Sequence, residues 1–270
     1  MKVLELYKGT GSFGKVFNNL DWNITSLDIN KKFEPTIIND IMKWDYKKDF
    51  KPSDFDLITA SPVCLYWSQI RNTWIGRKSK TIAPNGDVIT KQHLLDDIER
   101  YGKPMVDKTF EILDYFKPRW WILENPLTSS MWKYIDKKYS HLNFIKNDFD
   151  YCKYSNWGYK KPTRFITNYE GIITKRCAND CENIITIHTQ KNAIHKGTKE
   201  LIKGKTRTLH SNPIGVDKTK DGVITKKSHK QRVCWGHNKN MNSVGGGNNR
   251  LERYRIPPKL IEELIKPILC

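Results

Sequence analysis

Along the first half of the chain, short apolar runs alternate with amphipathic stretches, the pattern that builds a mainly parallel sheet covered by helices. Residues 3–7, 23–28, 55–60, 120–124 and 144–149 predict strands, with a short apolar run at 37–41 and one further strand at 164–168. Between them, 105–116 sets Val106, Phe110 and Leu113 on one face at helical spacing, and 127–139 predicts a second helix. The fold class these elements imply is α/β.

Past about residue 170 the pattern dissolves into Lys, Thr, Asn, Gly and His, with weak strand signals at 183–188 and 222–225. Gly245-Gly246-Gly247 reads as a junction, and Ile256-Pro257-Pro258 introduces an amphipathic helix over 259–268, with prolines near its start. That helix has the character of the first half. The expected organisation is therefore a catalytic domain over 1–169, a small basic insert over 170–247, and a return to the first domain over 248–270.

Charge sharpens this division. The net charge is +18, yet residues 1–150 hold 23 Lys and Arg against 20 Asp and Glu, while residues 151–270 hold 24 against 9. A positive excess confined to one part of the chain suits a polyanion such as nucleic acid better than general solubility does. Nothing approaches the roughly 20 apolar residues of a membrane span, and Glu5 interrupts the N-terminal apolar run before a signal-peptide core forms. The six cysteines are too sparse for a disulfide framework, so a reducing, intracellular compartment is expected. Cys177-x3-Cys181, with His188, His195, Cys234 and His237 beyond it, holds enough ligands for zinc. The spacing is not that of a common finger, so the expectation is surface residues and no metal ligand.

Two regions carry chemistry. The first strand runs into Gly9-Thr10-Gly11-Ser12-Phe13-Gly14, a G-x-G-x-x-G turn after a strand and before a helix, and Asp28 closes the second strand where an acid can grip ribose hydroxyls. Together they imply a nucleotide-like ligand without separating NAD from S-adenosylmethionine. Asp40, after the third apolar run, either accepts a hydrogen bond from an adenine amine or caps its loop. The fourth strand opens into Ser61-Pro62-Val63-Cys64, which sets a cysteine at the carboxyl end of a strand, where ligands of open α/β sheets bind. Such a cysteine is either a small buried hydrophobe or a nucleophile; Arg71, Arg77, Lys78 and Lys80 beyond it favour the nucleophile, because cations stabilise a thiolate. The fifth strand ends in Glu124-Asn125-Pro126, and a carboxylate there is either salt-bridged or used.

In this order the pieces resemble the cytosine-5 DNA methyltransferases: Tyr7-Lys8-Gly9-Thr10-Gly11-Ser12, Asp28, Asp40, Pro62-Val63-Cys64, Glu124-Asn125-Pro126, a block from Tyr151 to Asn168, and Arg255-Ile256-Pro257-Pro258-Lys259-Leu260. Tyr151-Cys152-Lys153-Tyr154 and Lys161-Pro162-Thr163-Arg164 bring it nearest to compact phage and virus members. Val63 and Leu65 stand where the family usually carries Pro and Gln. The resemblance implies a Rossmann-like S-adenosylmethionine-dependent methyltransferase sheet with a target-recognition insert, acting as a monomer on duplex DNA. It implies Cys64 as nucleophile on a flipped-out cytosine, Glu124 as partner of the ring nitrogen and amine, and Arg164 as contact to the carbonyl oxygen. For the cofactor it implies Tyr7, Gly9, Thr10, Gly11, Ser12, Phe13, Asp28, Ile29, Asp40, Ile41 and Pro62. The rival readings are an RNA cytosine methyltransferase, an NAD-dependent oxidoreductase and a decayed DNA-binding relative. The cysteine after strand four and the basic insert count against the oxidoreductase.

Overall fold

A computed structural model of the chain describes residues 1–83, 86–188, 193–194, 201–202, 206–210, 216–218, 224–226 and 254–269. These fall into two compact units. One comprises Met1–Phe149, Pro162–Thr174 and Ile256–Cys270, the other Asp150–Lys161 and Lys175–Arg255.

In the first unit, strands β1 (Lys2–Leu6), β2 (Asn23–Asp28), β3 (Ile37–Ile38), β4 (Leu57–Ala60), β5 (Trp120–Pro126), β6 (Ile145–Asp150) and β7 (Pro162–Thr167) form one sheet. Their order is β3-β2-β1-β4-β5-β7-β6. The pairs β1/β2, β2/β3, β1/β4 and β4/β5 are parallel, and β7 runs antiparallel to β5. An α/β sheet follows from the sequence pattern; the reversed β7 does not, because an apolar run carries no sign of its direction.

Successive residues of a strand face opposite sides. Leu4, Leu6, Ile58, Trp121 and Leu123 bury on one side in a single cluster with Val106, Phe110, Leu113 and Phe116 of helix α4 (Lys103–Phe116). The expected face of that helix is thus the face it buries. Helix α5 (Met131–Lys138) adds Met131, Trp132 and Ile135 to the same cluster. It starts later than the expected 127, because Ser129 N–H donates to the Pro126 carbonyl oxygen (2.9 Å) and closes a turn first. On the other side, α1 (Ser12–Asn18) buries Phe13, Val16 and Phe17, and α6 (Pro258–Ile265) buries Leu260, Ile261, Leu264 and Ile265. Two bonds dock the returning C-terminal segment: Ile256 N–H donates to Ser12 Oγ (3.0 Å), and the Tyr169 hydroxyl to the Leu264 carbonyl (3.0 Å). Helix α3 (Lys91–Asp97) was not foreseen. Its seven residues hold one buried apolar side chain, Leu94, too little for a periodic signal.

In the second unit, β8 (Ile184–His188) pairs antiparallel with β11 (Thr206–His210), so that Ile184 stands opposite His210. Short pairs β9 (Ala193–Ile194) with β10 (Leu201–Ile202), and β12 (Val216–Lys218) with β13 (Ile224–Lys226), follow. β8 falls on the weak strand signal at 183–188, and β13 overlaps the one at 222–225 at residues 224–225.

One residue breaks the apolar pattern inside β1. Glu5, between Leu4 and Leu6, is 3% exposed. Its Oε2 is buried without a hydrogen bond among the described residues, and a Cβ at Gly14 would stand 2.9 Å from that oxygen, so a side chain there would require the Glu5 carboxyl to shift. Burial pushes the Glu5 carboxyl up to about 7, and nearby Gly14 and Phe13 N–H groups and Lys8 and Lys15 offset this only in part. A raised carboxyl favours the folded state only while protonated. Its contribution is complete below pH 4.5 and is lost as the pH rises through about 7, an effect on the order of 3 kcal/mol. Denaturant titrations at pH 5 and pH 8 should therefore show a loss of stability at pH 8 that Glu5→Gln largely removes. An equally large loss in the variant would contradict this account of Glu5.

Candidate active site

β1 leaves the sheet through a turn with three left-handed residues, Tyr7 (φ 57), Gly9 (φ 51) and Gly11 (φ 65). Glycine takes this conformation at no cost; at Tyr7 it is strained and held in place by the side chain. The Tyr7 hydroxyl donates to the Met105 carbonyl oxygen (3.0 Å) and lies 3.0 Å from Thr109 Oγ1. Asp28, at the end of β2, holds the turn from the other side: Oδ2 accepts from Gly9 N–H and Oδ1 from Asn30 N–H, each at 2.8 Å. The expected glycine turn and acid are thus joined directly. Thr10 Oγ1 and Ser12 Oγ lie 3.1 Å apart at the start of α1.

The remaining expected cofactor residues divide. Ile29 is 69% exposed beside Asp28, whereas Ile41 (5%) and Phe13 (3%) belong to the buried interior. Ile41 and Phe13 therefore offer a ligand their backbone rather than a side-chain surface. Asp40 Oδ1 accepts from Met42 N–H (3.0 Å), and its carbonyl oxygen accepts from Lys43 and Trp44 N–H, so it caps its own loop.

β4 and β5 are neighbours with Ala60 opposite Leu123, so the segment carrying Cys64 and the end of β5 carrying Glu124 emerge side by side. Three bonds fix the cysteine loop to β5 and to the start of α5. Asn125, fully buried, donates from Nδ2 to the Pro62 carbonyl oxygen (2.8 Å), and Ser130 donates from N–H (3.1 Å) and Oγ (3.0 Å) to the Trp67 carbonyl. Cys64 is half-buried and in no disulfide. Glu124 is buried on the side of β5 that Ile122 shares, across from Phe165 of β7.

Two expectations need correction. Arg71 is buried and ion-paired with Asp97, with its guanidinium over the rings of Tyr66 and Trp74, so it is not among the open cations around the thiol. Arg77, Lys78 and Lys80 are exposed as expected. Arg164 stands opposite Asn125 in the β5/β7 register, hence on the sheet side away from Glu124. Its guanidinium makes a two-pronged bond to Asp148 (2.6 and 2.8 Å) and lies over Trp132 (5.9 Å). The structure does not bring it to Glu124.

A separate constellation lies in the second unit. Cys177 is buried, not on the surface, and gathers with Cys181, Cys152 and His210. His195, Cys234 and His237 lie outside the described residues. Sequence reasoning missed Cys152 and His210 because they sit 25 residues before Cys177 and 29 residues after Cys181, and only the fold brings them together.

Over 187 residues the chain is 35% identical to a probable DNA (cytosine-5)-methyltransferase of Frog virus 3 (isolate Goorha), an overlap covering 68% of this chain and 79% of that relative. The chain belongs to the cytosine-5 DNA methyltransferase family. It is a cytosine-5 methyltransferase by that membership. No protein-family model matches it. Among solved structures it is similar to the S. pombe Dnmt2 methyltransferase (TM-score 0.40, 17% identity, 64% of this chain and 52% of that one) and to a Spodoptera frugiperda DNMT2 mutant (0.39, 20%, 65% and 55%). It therefore spans about half the length of those two chains. The Entamoeba histolytica methyltransferase EhMeth matches over 99% of this chain and 98% of its own, with TM-score 0.43 and 12% identity.

In this methyltransferase the Asn125 amide is the brace between the two strand ends. Asn125→Ala should lower kcat by about 10²-fold through misplacement of the Cys64 loop, with KM for the methyl donor nearly unchanged. Steady-state kinetics check this, and a defect confined to the donor KM would contradict it.

Proposed function

We propose that the chain moves the methyl group of S-adenosylmethionine to carbon 5 of a cytosine in duplex DNA, with Cys64 as the nucleophile. The observation that carries the reading is the parallel pairing of β4 and β5, with Cys64 following one and Glu124 near the end of the other. The viral relative, a probable DNA (cytosine-5)-methyltransferase, supports the choice of substrate, as does the excess of Lys and Arg over residues 151–270.

The residues present fit the methyl donor. The left-handed turn is open at Gly9, with no side chain within 4 Å of a Cβ there, and the Asp28 carboxylate is fixed beside it. Tyr7, Gly9, Thr10, Gly11, Ser12 and Phe13 would line one side of the donor, and Asp28 would take the ribose hydroxyls. Asp40 would meet the adenine amine through the oxygen that its own loop leaves open. Ile29 offers the purine an exposed apolar surface, and Ile41 and Pro62 would contribute through backbone. When bound, S-adenosylmethionine supplies an electrophilic methyl group.

The chain's own residues act on the base. A cytosine buried in the stack is out of reach, so the target nucleotide is flipped out. The Cys64 thiolate forms a bond from Sγ to carbon 6, and the displaced electron pair moves toward carbon 5. Glu124 hydrogen-bonds the ring nitrogen and the exocyclic amine, which stabilises the attacked ring. Once carbon 5 carries the methyl group, removal of its proton returns the electron pair, the bond to Cys64 breaks, and the thiolate is restored. Arg164 serves by position: its bond to Asp148 holds β7 to β6 behind the Glu124 strand end.

With mixed-sequence duplex DNA containing 5-fluorocytosine, fluorine cannot leave as a proton, so a protein–DNA adduct should survive denaturing electrophoresis. Cys64→Ser should abolish the adduct and lower turnover by on the order of 10³-fold or more, since a hydroxyl lacks the thiolate's accessible ionisation. Glu124→Gln should slow adduct formation. An adduct that persists in the Cys64→Ser protein would show that the nucleophile is another residue.

A further inference from the structure

We propose that Cys152, Cys177, Cys181 and His210 bind one zinc ion in tetrahedral coordination and thereby pin together the second unit. The four ligating atoms lie within 4.8 Å of one another, and Cys177 Sγ stands 3.6 Å from His210 Nε2. Zinc at the usual bond lengths places ligands at the corners of a tetrahedron whose edges are about 3.8 Å between two sulfurs and about 3.6 Å between sulfur and nitrogen. The side chains already stand near those corners.

The surroundings are built for such a centre. Asn179, at φ 67, folds Cys177-Ala178-Asn179-Asp180-Cys181 back on itself, a conformation Asn tolerates better than most residues. Asp180 Oδ1 accepts from Ala178 N–H (3.0 Å) inside that turn. Asp150, fully buried, accepts from Cys177 N–H (2.8 Å) and Arg176 Nε (2.9 Å) and so fixes the position of Cys177. Asn183, also buried, donates from Nδ2 to the carbonyls of Cys152 and Ser155 (2.9 Å each) and accepts from Gly158 N–H (3.1 Å), which ties the Cys152 segment to the strand after Cys181. His210 arrives from the end of β11, opposite Ile184. Supports of this kind around metal-binding side chains orient the ligands and tune the centre.

The chemistry of the set selects the ion. Three thiolates and a neutral imidazole form a soft, closed, four-ligand set, which suits structural zinc and disfavours magnesium or calcium, whose ligands are oxygens. Such a centre carries one negative charge, and Lys160 answers it: its Nζ donates to the Cys177 carbonyl oxygen (2.6 Å) and lies 3.6 Å from Asp150 Oδ2. A disulfide is the competing use of close thiols. It would consume two of the three sulfurs and leave the third thiol and the imidazole without a role. The three stretches carrying the ligands span residues 152–210. A single ion would cross-link them.

The test uses the full-length protein purified without an affinity His tag in the presence of reductant. Elemental mass spectrometry should find one zinc per chain. Replacing it with cobalt should give the visible absorption of tetrahedral cobalt together with a thiolate-to-metal charge-transfer band. Cys181→Ser and His210→Ala should lose the metal, His210→Cys should keep it as a four-thiolate site, and Cys64→Ser should keep it unchanged, which separates this site from the proposed nucleophile. A metal-free protein would overturn the proposal. So would an octahedral cobalt spectrum, metal retained in the Cys181→Ser/His210→Ala double variant, or a disulfide among Cys152, Cys177 and Cys181 in the native protein.

Discussion

Parallel neighbours in a sheet bring their carboxyl ends to the same edge, and here β4 and β5 are such neighbours. Everything at the candidate site depends on that pairing. The cysteine loop leaves from β4, the glutamate lies near the end of β5, and the Asn125 amide ties one to the other through the Pro62 carbonyl oxygen. Because Asn125 is fully buried, losing its partner would leave a polar group unpaired away from water, which makes the brace costly to break. β1 and β2, on the other side of β4, bring the glycine turn and Asp28 to the same edge by the same rule. The glycine-turn end and the cysteine end of the candidate site are two consequences of one topology.

Much of this was legible from residues alone, because the signals were local. A strand, a glycine turn and an acid at the close of the next strand are short-range features, and Asp28 does reach Gly9. The apolar face of α4 was written in the spacing of Val106, Phe110 and Leu113. Where the sequence misled, a partner distant in the chain had taken the residue. Arg71 reads as an open cation until Asp97 is seen against it, and Arg164 reads as a base contact until Asp148 and the strand register place it on the other side of the sheet. The burial of Glu5 was invisible for a related reason: a single acid in an apolar run reads as an interruption, and only the fold packs it against Gly14.

The second unit was harder to read because the contacts that gather its cysteines and histidine are long-range. Its described strands are two to five residues long, and Cys152, Cys177, Cys181 and His210 are brought together with the help of the turn at Asn179 and the buried Asp150 and Asn183. Spacing along the chain therefore matched no familiar finger. The two units also divide the chemistry: the segments that carry Cys64 and Glu124 belong to the first, and most of the net positive charge lies in residues 151–270, the part of the chain that contains most of the second.

The central claim is that the chain methylates carbon 5 of cytosine in duplex DNA. The most direct test incubates the protein with S-adenosylmethionine carrying a labelled methyl group and a mixed-sequence duplex, digests the DNA to nucleosides, and identifies the labelled product by mass spectrometry. The account predicts label in 5-methyldeoxycytidine alone. Label on the exocyclic amine of cytosine, or label that enters only RNA in a parallel reaction, would contradict it.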